Sequence, residues 1–438
     1  MATWTVYEYA RLFRDNHTAI VGDNLCLSDN QFDALKKLIK SDDSDHYQLF
    51  RYGFEKRREV LVCQNYVGVI CLPDGDQIEI LPKTHKLNYV SEGASSVDKD
   101  KSRNNLIKML KATRYLPGKM ASSAALDITN MPLLDVFIQL FLDEVNSLIK
   151  RGISRHYQPK EENIAYLKGK LLVSQQIRTN LVMKHRHYME FDELSSNRAE
   201  NRLIRSALQW AFNRVEGKTK HFCQELLFHF TDIPTSKNIR LDLKSWQKGR
   251  HLRHYEPVLP WLEMIFKEQS PTSVDGSTNM LSILFPMEKV FEDYVALALK
   301  KQFPEYDIKT QVREKSLITH TPIKGSKPIK EKSLFQLRPD LYITCTAEDR
   351  VIIGDTKWKL IDENLPGKKY NIKESDIYQM LAYNQTYQKN EEKGAEIWLI
   401  YPKSENFTQG IPDFKFDNGS VIKVRPFDID RSLLILDS

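Results

Sequence analysis

The sequence predicts an α+β protein of several domains: a β-rich N-terminal region, a mostly helical middle region and a C-terminal α/β domain with a mixed central sheet. Three observations carry this expectation. Short runs rich in β-formers, separated by turn residues, occupy the first hundred or so positions. Apolar residues then recur at helical spacing as far as about residue 268, and the last third sets a helix, several strands and a second helix in order. A length of 438 residues, 41% of them hydrophobic, is enough for two or three ordinary cores.

In the N-terminal region the expected strands are Glu59–Gln64, Tyr66–Leu72 and Gln77–Leu81, divided by Asn65 and by the turn Pro73-Asp74-Gly75-Asp76. The polar stretch Asn88–Arg103 has the composition of an exposed loop. In the middle region, Met131–Ile149 places Leu133, Val136, Phe137, Leu140, Phe141, Val145 and Leu148 on one helical face, with Pro132 suited to a first turn. Asn197–Val215 reads the same way. Between them lies a basic cluster, Arg178, Lys184, His185, Arg186 and His187, read as a solvated face in preference to a phosphate contact. Ser270–Asn279 is rich in Ser, Thr, Pro and Gly and serves as the linker candidate. These features divide the chain into residues 1–103, 104–269 and 275–438.

Composition excludes several classes. No apolar run is long enough for a membrane-spanning helix, and the first residues lack the basic-then-apolar pattern of a secretory signal, so a cytoplasmic protein is expected. The five cysteines, Cys26, Cys63, Cys71, Cys223 and Cys345, form no CxxC pair and are expected to be plain buried thiols. A net charge of +6 favours a polyanionic partner only mildly. No GxxxxGK[ST] phosphate loop occurs, and Gly-Lys pairs such as those at Gly118, Gly169 and Gly367 lack the rest of that pattern, so no nucleotide hydrolysis by this chain alone is expected. No GxSxG or HExxH occurs, and His185 and His187 lack partners at zinc-finger spacing.

The chemistry concentrates in the last third. A helix over Pro286–Lys300 carries Glu288 and Glu292 four residues apart on one face. Asp307–Ile318 and Leu334–Cys345 are expected strands, Ala347-Glu348-Asp349 a turn, and Arg350–Leu360 the next strand. A second helix over Glu374–Tyr387 carries Gln379 and Tyr383. Alternation along the 350–360 strand points Asp355 and Lys357 to the same side, and Asp340 approaches them from the neighbouring strand. Two hard carboxylates so close together form a natural site for a divalent ion, which would polarise a phosphate and acidify a bound water. A lysine beside them would orient or deprotonate that water, or offset developing charge. Alone, a PD or a DxK is weak, and Asp340 reads as a turn residue; the complete order gives the motif its weight. Val351, Ile352 and Ile353 lead straight to Asp355, where a charge is costly unless it is paired or metal-bound.

This order, helix, Pro339-Asp340, Asp355-Thr356-Lys357, helix, resembles the PD-(D/E)xK nuclease superfamily, and the Gln379/Tyr383 spacing resembles its RecB-like branch. More narrowly, Ile78–Lys83, Asn104–Leu110, Gly169–Leu208, Phe291–Val295, Arg338-Pro339-Asp340, Asp355–Lys359 and Asp376–Tyr383 are similar to the McrC family, nuclease subunits of McrBC modification-dependent restriction systems. The resemblance covers most of the chain from about residue 60. It implies a PD-(D/E)xK domain in which Asp340 and Asp355 bind magnesium and Lys357 serves the water. Glu292, within the Phe291–Val295 motif, is favoured over Glu288, and Gln379 and Tyr383 would organise the site or contact the phosphate backbone. It also implies a partner, an McrB-like AAA+ GTPase that reads modified cytosine in double-stranded DNA, with the regions before residue 270 docking onto and stimulating that motor. The oxygen-only set of Asp340, Asp355 and the Thr356 carbonyl suits Mg2+, with Mn2+ as a substitute. Competing readings are a stand-alone RecB-like nuclease of another defence system and a non-catalytic adaptor between DNA and a motor.

Overall fold

The structure is a computed structural model that describes residues 2–41, 49–83, 96–113, 115, 131–266, 281–313, 315–324, 327–328, 332–345, 350–387, 396–416 and 419–436. The linker candidate Ser270–Asn279 and the turn Ala347–Asp349 lie outside the described residues. Mixed α and β structure is present throughout, with a β-rich N-terminal part. The chain forms two compact units, and they differ from three consecutive segments. One gathers Met1–Leu116 with Ser282–Ser438; the other contains Met131–Leu281.

In the first unit, Tyr66–Cys71 and Gln77–Leu81 are buried along their whole length. They pair antiparallel in a four-stranded sheet ordered Thr3–Tyr7, Gln77–Leu81, Tyr66–Cys71, Leu281–Pro286. Strands buried on both faces read as continuous apolar runs, as Tyr66–Cys71 does, whereas Gln77–Leu81 also buries Gln77 and Glu79. Gly68 lies at φ 140°, and a Cβ there would stand 1.9 Å from the Ile283 carbonyl oxygen. Only glycine admits so close a neighbouring strand. A second, five-stranded sheet is ordered Ala19–Val21, Asn24–Leu27, Arg11–Arg14, Arg58–Cys63, Phe50–Glu55.

The polar stretch 88–103 corrects one expectation. From Ser96 onward it is helical, to Ala112. The helix is tied down by Arg103, whose Nη2 and Nε donate to the fully buried Glu79 at 2.7 and 2.9 Å. A buried bidentate ion pair overrides a loop-like composition, because either charge left alone would be expensive to desolvate.

A seven-stranded mixed sheet supports the site. Its order is Asp307–Thr310, Leu341–Cys345, Arg350–Thr356, Glu396–Pro402, Val421–Asp428, Ile411–Lys415, with Leu433–Leu434 also on Val421–Asp428. The first two junctions are antiparallel, the next two parallel and the last antiparallel. Helix Glu374–Tyr387 buries Met380, Tyr383 and Tyr387 with Ile353, Ile397 and Leu399 of the sheet. Helix Met287–Gln302 buries Val290, Phe291, Tyr294 and Val295. Each such side chain contributes about 1.5–3 kcal/mol on burial, so both helices are firmly fixed.

In the second unit Leu133–Arg151 is a helix preceded by Pro132, and all seven of its expected core residues are buried. Ala199–Phe212, Gly217–Phe228, Ile239–Lys244 and Leu259–Phe266 add further helices. The mostly helical expectation misses a three-stranded sheet, Lys170–Leu171, His187–Ser195, His156–Ile164. Its nine-residue antiparallel pair leaves Tyr157, Tyr166, Leu167, Ile177, Leu181 and Val182 exposed nearby. Arg178, Lys184, His185 and Arg186 are exposed as expected, with His187 half-buried. Among the described residues no helix is long and apolar enough to cross a membrane. All five cysteines are buried thiols.

Candidate active site

The strand Arg350–Thr356 delivers Asp355. Ile352 and Ile353 are completely buried, and Gly354 lets the backbone lie against Leu341, since a Cβ there would sit 3.0 Å from that side chain. Asp355 is thereby held at 1% exposure. Lys357 lies one residue past the strand end, yet its N–H still donates to the Ile400 carbonyl at 2.9 Å, so the ladder keeps it aligned. Its ammonium pairs with Asp355 Oδ2 and donates to Gln379 Oε1 at 3.0 Å. Asp340 stands one residue before Leu341–Cys345, where its Oδ2 accepts from the Thr356 N–H and hydroxyl, both at 2.8 Å. Thr356 therefore enters the described contacts as a donor to Asp340.

Gln379 and Tyr383 share one helical face. Gln379 Nε2 donates to Asp355 Oδ1 at 3.0 Å and to the Tyr383 hydroxyl at 2.8 Å, while that hydroxyl donates to the Arg338 carbonyl at 2.9 Å. From the opening helix, Glu292 Oε1 accepts from Gln311 Nε2 at 2.6 Å, and the same nitrogen reaches Asp340 Oδ1 at 3.3 Å. Glu288 is exposed. The geometry thus brings together Glu292, Asp340, Asp355, Thr356, Lys357, Gln379 and Tyr383, and joins Glu292 to the acid pair through a shared amide.

These acids lack enough positive charge. Burial, then the Asp340 charge, pushes Asp355 up to about 7 against the pull of Lys357. Burial, then the Asp340 charge, also pushes Glu292 up to about 7. Asp340 is raised by burial, which outweighs its bonds from Thr356. Burial works against the Lys357 charge, but the Asp355 pair outweighs it and raises its pKa. One ammonium among three carboxylates leaves room for a hard cation. Among the described residues no three His, Cys, Asp or Glu side chains form a set that could hold an ion. A resident ion would therefore rest on two carboxylates completed by backbone and water oxygens, which suits the hydrated habit of magnesium.

Other residues surround the site. The Trp358 indole donates to the buried Glu8 carboxylate at 3.1 and 2.9 Å and packs on Phe291 at 5.2 Å. Lys359 donates to both oxygens of Asp376 at 3.0 and 2.9 Å, anchoring the start of the Gln379 helix. Trp358, Lys359 and Asp376 fall within segments that resemble the family, Asp355–Lys359 and Asp376–Tyr383, but no role is read for them there. Glu8 and Gln311 carried no sequence signal.

Comparison with known proteins supplies the last observations. The family description McrBC 5-methylcytosine restriction system component matches residues 61–402. Among solved structures, a chain of the half-complex of Thermococcus gammatolerans McrB AAA+ hexamers with bound McrC is similar over 100% of this chain and 97% of its own, with a TM-score of 0.68 and 20% identity. A chain of the cryo-EM structure of the Thermococcus gammatolerans McrBC complex covers 69% of this chain and 88% of its own, at 21% identity and a TM-score of 0.47. No curated protein matches. The first likeness bears on the fold; the family match, spanning well over half of the sequence, establishes that the chain belongs to the McrBC family of 5-methylcytosine restriction system components.

Proposed function

We propose that this chain is the Mg2+-dependent endonuclease subunit of a modification-dependent restriction complex, with a PD-(D/E)xK site in its C-terminal part. The carrying observation is the convergence of Asp340, Asp355 and Lys357, with Gln379 bonded to both members of the Asp355–Lys357 pair. Asp340, Asp355 and the Thr356 carbonyl would hold the ion. When bound, it would supply Lewis-acid polarisation of the scissile phosphate and a more acidic water. The chain's own residues do the positioning. Lys357, which keeps its proton in the metal-free geometry, acts as an electrostatic donor to the phosphate. Gln379 fixes the ammonium direction, and Tyr383 fixes Gln379. Glu292 adds a proton-holding group at the edge of the acid pair.

The partner is an McrB-like AAA+ GTPase that reads modified cytosine, as the family and the hexamers of the similar assembly support. The exposed apolar residues beside the 156–195 sheet are surface of the kind used for protein contact. The chain alone should bind no GTP and should raise the motor's GTPase rate.

Cleavage of modified-cytosine DNA with the motor present tests this reading. Asp340→Ala, Asp355→Ala and Lys357→Ala should each abolish cutting and leave GTPase stimulation intact. Magnesium should be required and manganese should substitute. Calcium should permit DNA binding with little cutting, because its looser coordination positions water poorly. Wild-type cutting in any of the three variants, or full activity in EDTA, would identify the chain as an adaptor or place the chemistry elsewhere.

A further inference from the structure

We propose that Gln311 is a positioning residue of this site, its carboxamide setting the spacing between Glu292 and Asp340; the inference rests on the nuclease reading above. Gln311 follows the strand Asp307–Thr310 and turns the chain with φ 53°, in the left-handed region. A residue with a Cβ held there costs about 1–2 kcal/mol, and a mere turn would favour glycine or asparagine. Such strain persists where the surroundings demand it, often at functional sites.

What the turn achieves is specific. It directs the Gln311 N–H to the Asp340 carbonyl at 3.3 Å, tying the strand end to the backbone of the acid. It also brings Nε2 to Glu292 Oε1 at 2.6 Å and Asp340 Oδ1 at 3.3 Å. An amide nitrogen has two hydrogens, one for each acid. The side chain is exposed, so these bonds, and not packing, hold it in place, while the neighbouring Val312 is buried and anchors the turn. The choice of a neutral amide matters. A lysine here would neutralise the acids and compete with a cation; the carboxamide fixes their spacing and leaves their charge available.

The test uses the full chain with its motor. Gln311→Gly relieves the left-handed strain and deletes the amide. It should melt, free of metal, at or above the wild-type temperature, yet cut about 10- to 100-fold more slowly with DNA affinity and GTPase stimulation unchanged. Gln311→Asn, which tolerates the left-handed region and keeps a shorter amide, should recover part of the rate. Mn2+ binding to the metal-free chain, read as free Mn2+ by electron paramagnetic resonance, should weaken about ten-fold or more in Gln311→Lys. A glycine variant that cuts at the wild-type rate overturns the proposal, as does a rate loss accompanied by a lower metal-free melting temperature in both the glycine and asparagine variants. Asp355→Ala in the same assay separates the two readings: if it still cuts, the nuclease reading fails whatever Gln311 does.

Discussion

Gln379 has no freedom to flip its amide. Its oxygen accepts from Lys357 and its nitrogen donates to Asp355 and to Tyr383, so a reversed carboxamide would set donor against donor at Lys357 and acceptor against acceptor at Asp355. Tyr383→Phe removes one of these partners and the tie to the Arg338 carbonyl, and should slow cleavage about ten-fold; Gln379→Ala should cost more. Single-turnover cutting rates would check the ranking, and equal rates in the two variants would contradict it. Glu8 gives a different residue-scale prediction. Burial, partly opposed by the Trp358 indole and the Lys83 N–H, pushes its pKa from 4.5 up to about 7. A raised carboxyl pKa stabilises the fold below pH 4.5, and that contribution is lost as pH rises through about 7. Each tenfold gain in proton affinity on folding is worth roughly 1.4 kcal/mol. Glu8→Gln cannot ionise, so its melting temperature should fall less than that of the wild type between pH 5 and pH 8. A parallel decline would show Glu8 ionising normally. The convergence of Asp340, Asp355 and Lys357 was legible in the sequence because alternation along a strand fixes which side chains share a face. Glu8 was not, since it meets Trp358 across 350 positions and nothing local marks it.

The elements around the site show where pattern reading stops. Helix Glu374–Tyr387 has the expected bounds because a buried stripe at helical spacing defines it. The two long strands expected over 307–318 and 334–345 are each broken. Asp307–Thr310 and Leu341–Cys345 stay in the central sheet, while Ser316–His320 and Lys332–Gln336 pair with each other outside it. The first break falls at Gln311, a left-handed residue that is neither Gly nor Asn, so composition gave no warning of it. In the N-terminal sheet the opposite holds: Gly68 was visible but its reason was not, because Ile283 reaches it from the far side of the linker candidate. Gly68→Ala combines a φ of 140° with a contact of 1.9 Å to backbone. It should destabilise by roughly 3 kcal/mol or more, against about 1 kcal/mol or less for an alanine at an unhindered site. Urea unfolding would measure the difference, and a neutral Gly68→Ala would mean that Leu281–Pro286 does not lie on Tyr66–Cys71.

At the scale of the molecule, both ends of the chain build the unit that contains the candidate site, and Met131–Leu281 forms a separate unit within the sequence. A linear reading divides the chain at residues 103 and 269, and the first of these boundaries falls inside the helix Ser96–Ala112. Sequence order concealed the arrangement, since strand Leu281–Pro286 belongs to a sheet whose other three strands come from the first 81 residues. The dependence is energetic as well as topological. Without the N-terminal region, Trp358 loses the Glu8 carboxylate, and Lys108 no longer donates to the Ile429 carbonyl at 3.1 Å. Buried apolar faces of strand 281–286 would also be uncovered, and a buried donor left without its partner costs about 1–3 kcal/mol. A fragment of residues 275–438 should therefore fail to unfold cooperatively and should bind hydrophobic dyes, although it carries every residue of the motif. A shortened chain that joins residue 115 to residue 281 through a Gly/Ser linker of about 20 residues keeps all the strands of the first unit. It should show one cooperative transition and retain Mn2+ binding. Differential scanning calorimetry of both chains decides the matter: a sharp transition in the 275–438 fragment would make the C-terminal part an independent domain and the N-terminal sheet an accessory to it.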